Sequence, residues 1–330
     1  MKRREAAETY VAPLVAGLVA LVTLVGLIAP AIKSPSPHDI PVGLVGPAPA
    51  VEQISSAFSA NARGVFTFTT YDSEADARAG IDSRSVDGVL VLGQGPRLIT
   101  AAAAGDAVTG VITAAFTNVF QKQGQALSVE TVHPFASGDP HGLILFFVVL
   151  AVFVSTLIAQ ALVSLRRGVG FATQALVVVA YAIVAAPVAM GLATWIAGDY
   201  GSGFWAATAL ITLASAAIGA VVAGAAALLG RPGVALAALV AVLLDLVCSG
   251  GPIGSQLLPD AYRWLAPGMP AGQLYSAIRG ALYFDGAGVG EPVLVLAAWL
   301  VGGVALMAMG RLARRERVNP ATAPAHATHG

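Results

Sequence analysis

Two hydropathy regimes alternate along the chain. Val11–Ile32 is an unbroken apolar run, residues 33–141 carry the mixed pattern of a water-soluble fold, and long apolar blocks return after Gly142. These later blocks are Gly142–Leu165, Phe171–Ile196, Phe204–Leu229, Gly233–Cys248 and Pro292–Gly310. A bilayer core takes about 20 apolar residues per helix, so the pattern predicts six transmembrane helices, the one at Gly233–Cys248 being short. The connections Arg166-Arg167, Asp199–Gly203 and Gly230–Pro232 are so brief that neighbouring helices must be antiparallel hairpins.

Between the first span and the rest, the periodicity switches repeatedly. Ile40–Val45, Val65–Tyr71, Val86–Leu92, Arg97–Ala102 and Leu127–Val132 are strand-like, the second by strict alternation. Ala48–Ala60 places Val51, Ile54 and Phe58 on one helical face, and Asp106–Lys122 is amphipathic. Ser73–Ser83 opens with a capping-box pattern, Ser73 followed by Asp76. The order βαβαββαβ predicts an α/β domain over residues 33–141 with its own core. Gly43-x-x-Gly46 is no nucleotide fingerprint and reads as turn chemistry.

The longest interruption of the apolar half is Ser249–Glu291. Pro252, Pro259, Pro267 and Pro270 divide it, and Leu274, Ile278 and Leu282 then recur at helical spacing. Tyr262, Trp264, Tyr275, Tyr283 and Phe284 accompany Arg263 and Arg279, and the four-residue step from Tyr275 to Arg279 lets ring and guanidinium meet. Such a segment belongs at a membrane–water boundary. Two readings stand: an interfacial helix that packs the last spans, or the outer mouth of a translocation path.

Composition agrees: 57% of residues are hydrophobic and 11% charged, against roughly 25% charged in soluble domains. Eighteen basic and eighteen acidic side chains leave no net charge, which argues against nucleic acid as a partner. Fifteen arginines against three lysines, with abundant Ala, Gly and Val, suggest a GC-rich bacterial genome. The positive-inside rule places residues 1–10 in the cytoplasm with Lys2, Arg3 and Arg4, together with Arg166, Arg167, Arg231, Arg311, Arg314, Arg315 and Arg317. Residues 33–141 and 249–291 then lie outside, and 311–330 form a cytoplasmic tail, disordered at Asn319–Gly330. Although Ala29-Pro30-Ala31 is a small-x-small site, Val11–Ile32 exceeds a signal h-region and reads as an uncleaved anchor.

Candidate chemistry is sparse. Asp245 is the one acid well inside an apolar block, and an intramembrane carboxylate marks a functional candidate by default. It either pairs with Arg263 or Arg279, or contacts cargo or a proton. Gln160 and Gln174 flank the Arg166-Arg167 turn and read as polar groups that solvate that hairpin end. Ser215, Gly219 and Ala223 form a small-residue seam, supported by Ala220 and Gly224, and Pro187 should kink its helix. No phosphate loop or HExxH motif occurs, and no histidine lies in a span. His133, Asp139 and His141 have no specific metal spacing, and the lone Cys248 reads as an inert buried thiol. No cofactor, metal or catalytic residue is expected.

One basic start, one span, an external α/β domain and five further spans with a broken amphipathic segment before the last: this order resembles the membrane subunit of ABC-type-2 transporters, nearest to phage-infection-protein-like proteins. Ala77–Leu92 (ARAGIDSRSVDGVLVL) and Leu258–Asp285, with its Leu-Pro, Ala-Pro-x-x-Pro-x-x-x-x-Tyr and Ala-Ile-Arg-Gly pieces, carry the resemblance. It implies a six-span α-helical polytopic protein of the bacterial inner membrane, both termini cytoplasmic, with an inserted extracytoplasmic α/β domain. It also implies a permease that exports a hydrophobic or amphipathic substrate, energised by a separate ATP-binding subunit and working as a homo- or heterodimer in contact with membrane lipid. Candidate pathway residues are Asp245, Arg263, Trp264, Tyr275 and Arg279. The family's acidic coupling segment between the second and third spans has only Ser164–Gly170 (SLRRGVG) in its place. That brevity favours the alternative, a non-transporting envelope receptor or scaffold whose external domain binds a partner.

Overall fold

A computed structural model of the chain describes residues 11–33, 36–166, 168–240 and 245–318. The basic start at 1–10, Arg167, the middle of the short fifth block at 241–244 and the tail at 319–330 lie outside the described residues. The chain divides into two compact units, one of residues 1–135, 139–143 and 243–272, the other of 136–138, 144–242 and 273–330.

The first unit begins with helix α1 (Ala12–Lys33), 22 residues long, whose Leu14, Leu18 and Val22 side chains are exposed. The α/β domain follows: β1 (Ile40–Val45), α2 (Ala48–Asn61), β2 (Phe66–Tyr71), α3 (Glu74–Asp82), β3 (Gly88–Leu92), β4 (Pro96–Ala101), α4 (Asp106–Lys122) and β5 (Ser128–Val132). This is the βαβαββαβ order read from the periodicity. The five strands are arranged β2-β1-β3-β4-β5. β1 runs parallel to both β2 and β3, with Val42 opposite Phe68 and Gly88, whereas β3 and β4 form an antiparallel hairpin and β5 is again parallel to β4.

Alternation along the strands explains the layering. Ile40, Val42 and Leu44 of β1, with Leu90 and Leu98, meet Val51, Ile54 and Phe58 of α2 and Val108, Ile112 and Phe116 of α4 in one buried cluster. Helix α3 serves the other face. Its N-cap forms as expected, the Ser73 hydroxyl accepting the Asp76 N–H at 3.1 Å. Gly43 and Gly80 make room there for one ring. A Cβ at Gly43 would lie 3.0 Å from the Tyr71 ring, and one at Gly80 would strike the Tyr71 hydroxyl. Gly43 is therefore a packing glycine within β1.

From helix α3, Arg78 bonds Glu130 at 2.7 Å and Glu74 at 2.9 Å, and Arg97 joins both carboxylates, reaching Glu130 at 3.1 Å. The hydrogen bonds from Arg78 hold the Glu130 carboxyl below its ordinary pKa and raise that of the guanidinium.

The second unit contains α5 (Leu143–Ser164), α6 (Phe171–Ala197), α7 (Phe204–Leu229), α8 (Arg231–Ala238) and α12 (Gly290–Val318). Four helical stretches among the described residues are long and apolar enough to cross a membrane: Leu143–Ser164, Phe171–Ala197, Gly201–Leu229 and Gly290–Ala313. They mark a membrane-embedded protein. α6 runs without a break through Pro187. α7 is the central helix, with two-thirds of its apolar window buried against about a third or less for the others. Small residues allow this, as lipid-embedded packing requires close backbone approach. A Cβ at Gly224 would stand 2.5 Å from Leu306, one at Gly303 2.6 Å from the Val221 amide, and one at Gly310 2.5 Å from Ala227. The expected seam is thus split: Ala220 and Gly224 face α12, while Ser215 and Gly219 face α5 and α6.

The proline-rich segment folds into short pieces, α9 (Asp245–Cys248), α10 (Asp260–Leu265) and α11 (Pro270–Tyr283), with two 3-10 turns between the first pair and one between the second. Each proline sits where a missing N–H costs nothing. Pro259 caps α10, Pro270 opens α11, and Pro252 and Pro267 lie in 3-10 turns.

Candidate functional site

The candidate residues fall into separate local arrangements. Asp245 opens α9 and is fully buried. α11 starts at Pro270, so the first amide needing an acceptor is that of Ala271. Both Asp245 oxygens accept it, Oδ1 at 2.8 Å and Oδ2 at 3.0 Å. The carboxylate also meets the positive end of the helix dipole. Gly272 tightens the joint, since a Cβ there would stand 3.1 Å from the Cα of Ser249. The expected pairing with Arg263 is replaced by this backbone amide, because Arg263 is engaged elsewhere. Its guanidinium reaches Asp39 at 3.2 Å and Asp260 at 3.6 Å.

Those bonds belong to a larger attachment. The backbone N–H groups of Ser36 and His38 donate to the carbonyls of Leu257 and Gln256, and the Gln256 amide donates to Asp87 at 3.2 Å. Leu257 is buried in the α/β core with Ile253 packed against it, and Gly254 lies so close to Val108 that a Cβ would stand 2.9 Å away. Residues 251–268 are therefore part of the α/β domain, not a free interfacial loop. Trp264 projects from this region, 83% exposed.

In the second unit, α11 buries Leu274 and Ile278, as its four-residue period implies. The Arg279 guanidinium lies 4.6 Å from the Tyr275 ring centroid, and Phe146 meets that ring edge-on at 6.3 Å. The cation–π pair read from the spacing is present. Tyr275 is buried, which makes it a packing aromatic with a charged lid.

A polar row inside the bundle carries more than sequence spacing suggests. Thr156, Gln160 and Ser164 repeat every fourth residue on one face of α5. Thr156 shares a 2.9 Å hydrogen bond with Ser215 of α7, and the Gln174 amide of α6 donates to Gln160 at 3.3 Å and to Ser164 at 2.8 Å. Thr156 and Gln160 are fully buried. The expectation that Gln160 and Gln174 solvate a hairpin end is corrected: they are buried and tie α5 to α6, while Thr156 and Ser215 tie α5 to α7. Their i, i+4 spacing with Thr156 and Ser164 was the available signal. Trp195 and Trp205, 81% and 72% exposed, flank the turn between α6 and α7 as interfacial anchors do.

Metal chemistry finds no set of donors among the described residues. His133 and His141 are each drawn to a different carboxylate, Asp82 at 2.7 Å and Asp106 at 3.1 Å. Compared with protein-family models, with curated proteins and with solved structures, the chain matches none.

Proposed function

We propose that the chain is the membrane subunit of a bacterial exporter, moving a hydrophobic or amphipathic substrate with energy from a separate ATP-binding subunit. The observation that supports this reading is the attachment of residues 251–268 to the α/β domain. The chain leaves the domain before Leu143 and returns to it after Cys248, which supports a topology with both segments on one side of the membrane. In this reading α5, α6 and α7 are three of the crossings, and the apolar sequence block Gly233–Cys248 is taken as a fourth. We read α1 and α12 as the first and last of six spans, with both termini on the side that the positive-inside rule assigns to the cytoplasm.

An inserted α/β domain that holds the segment before the last span, in a chain whose apolar helices carry buried polar groups, suits a machine that hands cargo outward. The second reading, an envelope receptor or scaffold, draws on the few residues between α5 and α6 and between α7 and α8, which offer an ATPase little to grip. Purification from native membranes separates the two. An exporter subunit copurifies with an ATP-binding protein, and its deletion slows efflux of a lipophilic dye. Copurification with an envelope protein alone, with efflux unchanged, would establish the scaffold.

A further inference from the structure

The α/β domain has a feature that the transport reading does not use. At the end of α2, where the chain turns into β2, a cavity of about 260 Å³ is lined by Phe58, Ala62, Arg63, Gly64, Phe66 and Phe68. Its wall is aromatic for a sequence reason. Phe66 and Phe68 alternate onto the same face of β2, and Phe58 comes from the buried stripe of α2. Their ring centroids lie 5.2 to 6.0 Å apart, Phe58 edge-on to Phe66 and Phe66 stacked with Phe68. Phe66 and Phe68 are only partly buried, so they present ring surface to an occupant.

Arg63 stands at the rim. The Arg78 and Arg97 guanidinium groups are each paired with carboxylates, whereas the exposed Arg63 makes no ion pair or hydrogen bond among the described residues. The turn at Gly64 has φ +77°, and a Cβ there would meet nothing within 4 Å. Backbone geometry demands the glycine, and the space above it is open.

We propose that this cavity binds a small aromatic carboxylate, its ring against Phe66 and Phe68 and its carboxylate against the Arg63 guanidinium. The volume falls just below the 300 Å³ at which drug-sized pockets begin, which suits one ring system with one acid group. Arginine presents a planar fork of donors that matches a carboxylate, and aromatic rings favour edge-on or offset contact with another ring. Charge complementarity selects the acid over its neutral analogue. The site is independent of the bundle and of any ATPase.

The test uses the full-length protein in detergent, with indole-3-carboxylate and its neutral carboxamide as probes in equilibrium dialysis. Saturable binding of one acid per chain is expected, with the carboxamide at least tenfold weaker. Arg63→Gln should weaken the acid about tenfold and leave the carboxamide unchanged. Ser59→Trp, from an exposed position on α2 that lines the same cavity, should abolish binding of both while thermal unfolding stays as in the wild type. Absence of saturable binding to the wild type overturns the site. So does equal affinity for acid and amide, or binding that survives both substitutions.

Discussion

Asp245 is buried and makes no ion pair among the described residues, and what it touches sets what its loss should cost. Both oxygens serve one amide at the start of α11, so Asp245→Ala strands that N–H and removes a cap, a loss of about 1–2 kcal/mol. Because Arg263 is bonded to Asp39 and Asp260, the variants Asp245→Ala and Arg263→Gln should be additive within about 0.5 kcal/mol in detergent unfolding. A coupling clearly above that would restore the ion pair that the spacing suggested. Glu130 behaves differently. Its pKa is lowered in the fold, so its contribution is complete above the unfolded value of about 4.3 and disappears as pH falls through the lower folded value. Glu130→Gln should therefore be less stable than wild type at pH 7, with the gap closing in acid; a gap unchanged down to pH 3 would mean that shape rather than charge holds α3 to β5.

At the scale of elements, close approach is the recurring device. α3 reaches the sheet because Gly43 and Gly80 leave a slot for Tyr71, and a methyl group in that slot overpacks it. Gly80→Ala should cost about 1–3 kcal/mol, and Tyr71→Phe, which removes the hydroxyl in the way, should recover part of it. No recovery would place the strain elsewhere on α3. In the bundle, α7 and α12 approach through Gly224, Gly303 and Gly310, and α5, α6 and α7 are joined by the row from Thr156 to Gln174. Hydrogen bonds between membrane helices contribute about 0.6 kcal/mol on average, whereas a bulky side chain at a helix crossing separates backbones. Gly303→Leu should therefore lower the unfolding temperature in detergent far more than Thr156→Val. The reverse order would make the polar row the main tie.

For the whole molecule, the decisive relation is that residues 251–268 belong to the α/β domain. Single cysteines at Thr69 and Ala261, both exposed, in a Cys248→Ala background should react with an impermeant maleimide on intact cells, and one at Arg166 should not. Labelling at Thr69 but not Ala261 would break the shared attachment. Labelling at Arg166 alone would invert the orientation while leaving the count of spans intact.

Local order was legible in the residues themselves. Strand and helix sequence in the α/β domain, the extent of α4 and α11, the cap at Ser73 and the four long apolar helices all follow from periodicity and from proline and glycine placement, because hydrogen bonding within a helix and alternation along a strand are decided by near neighbours. The Tyr275–Arg279 pair was legible for the same reason, lying one turn apart. Partners distant in sequence were not. Asp245 finds Ala271 rather than an arginine, Leu257 enters a core formed by residues 40–120, and Thr156 meets Ser215 inside the bundle. A side chain's type states that it needs an acceptor, a counter-charge or an apolar neighbour. Only the folded chain, which must satisfy all such needs at once in a limited volume, decides which residue supplies it.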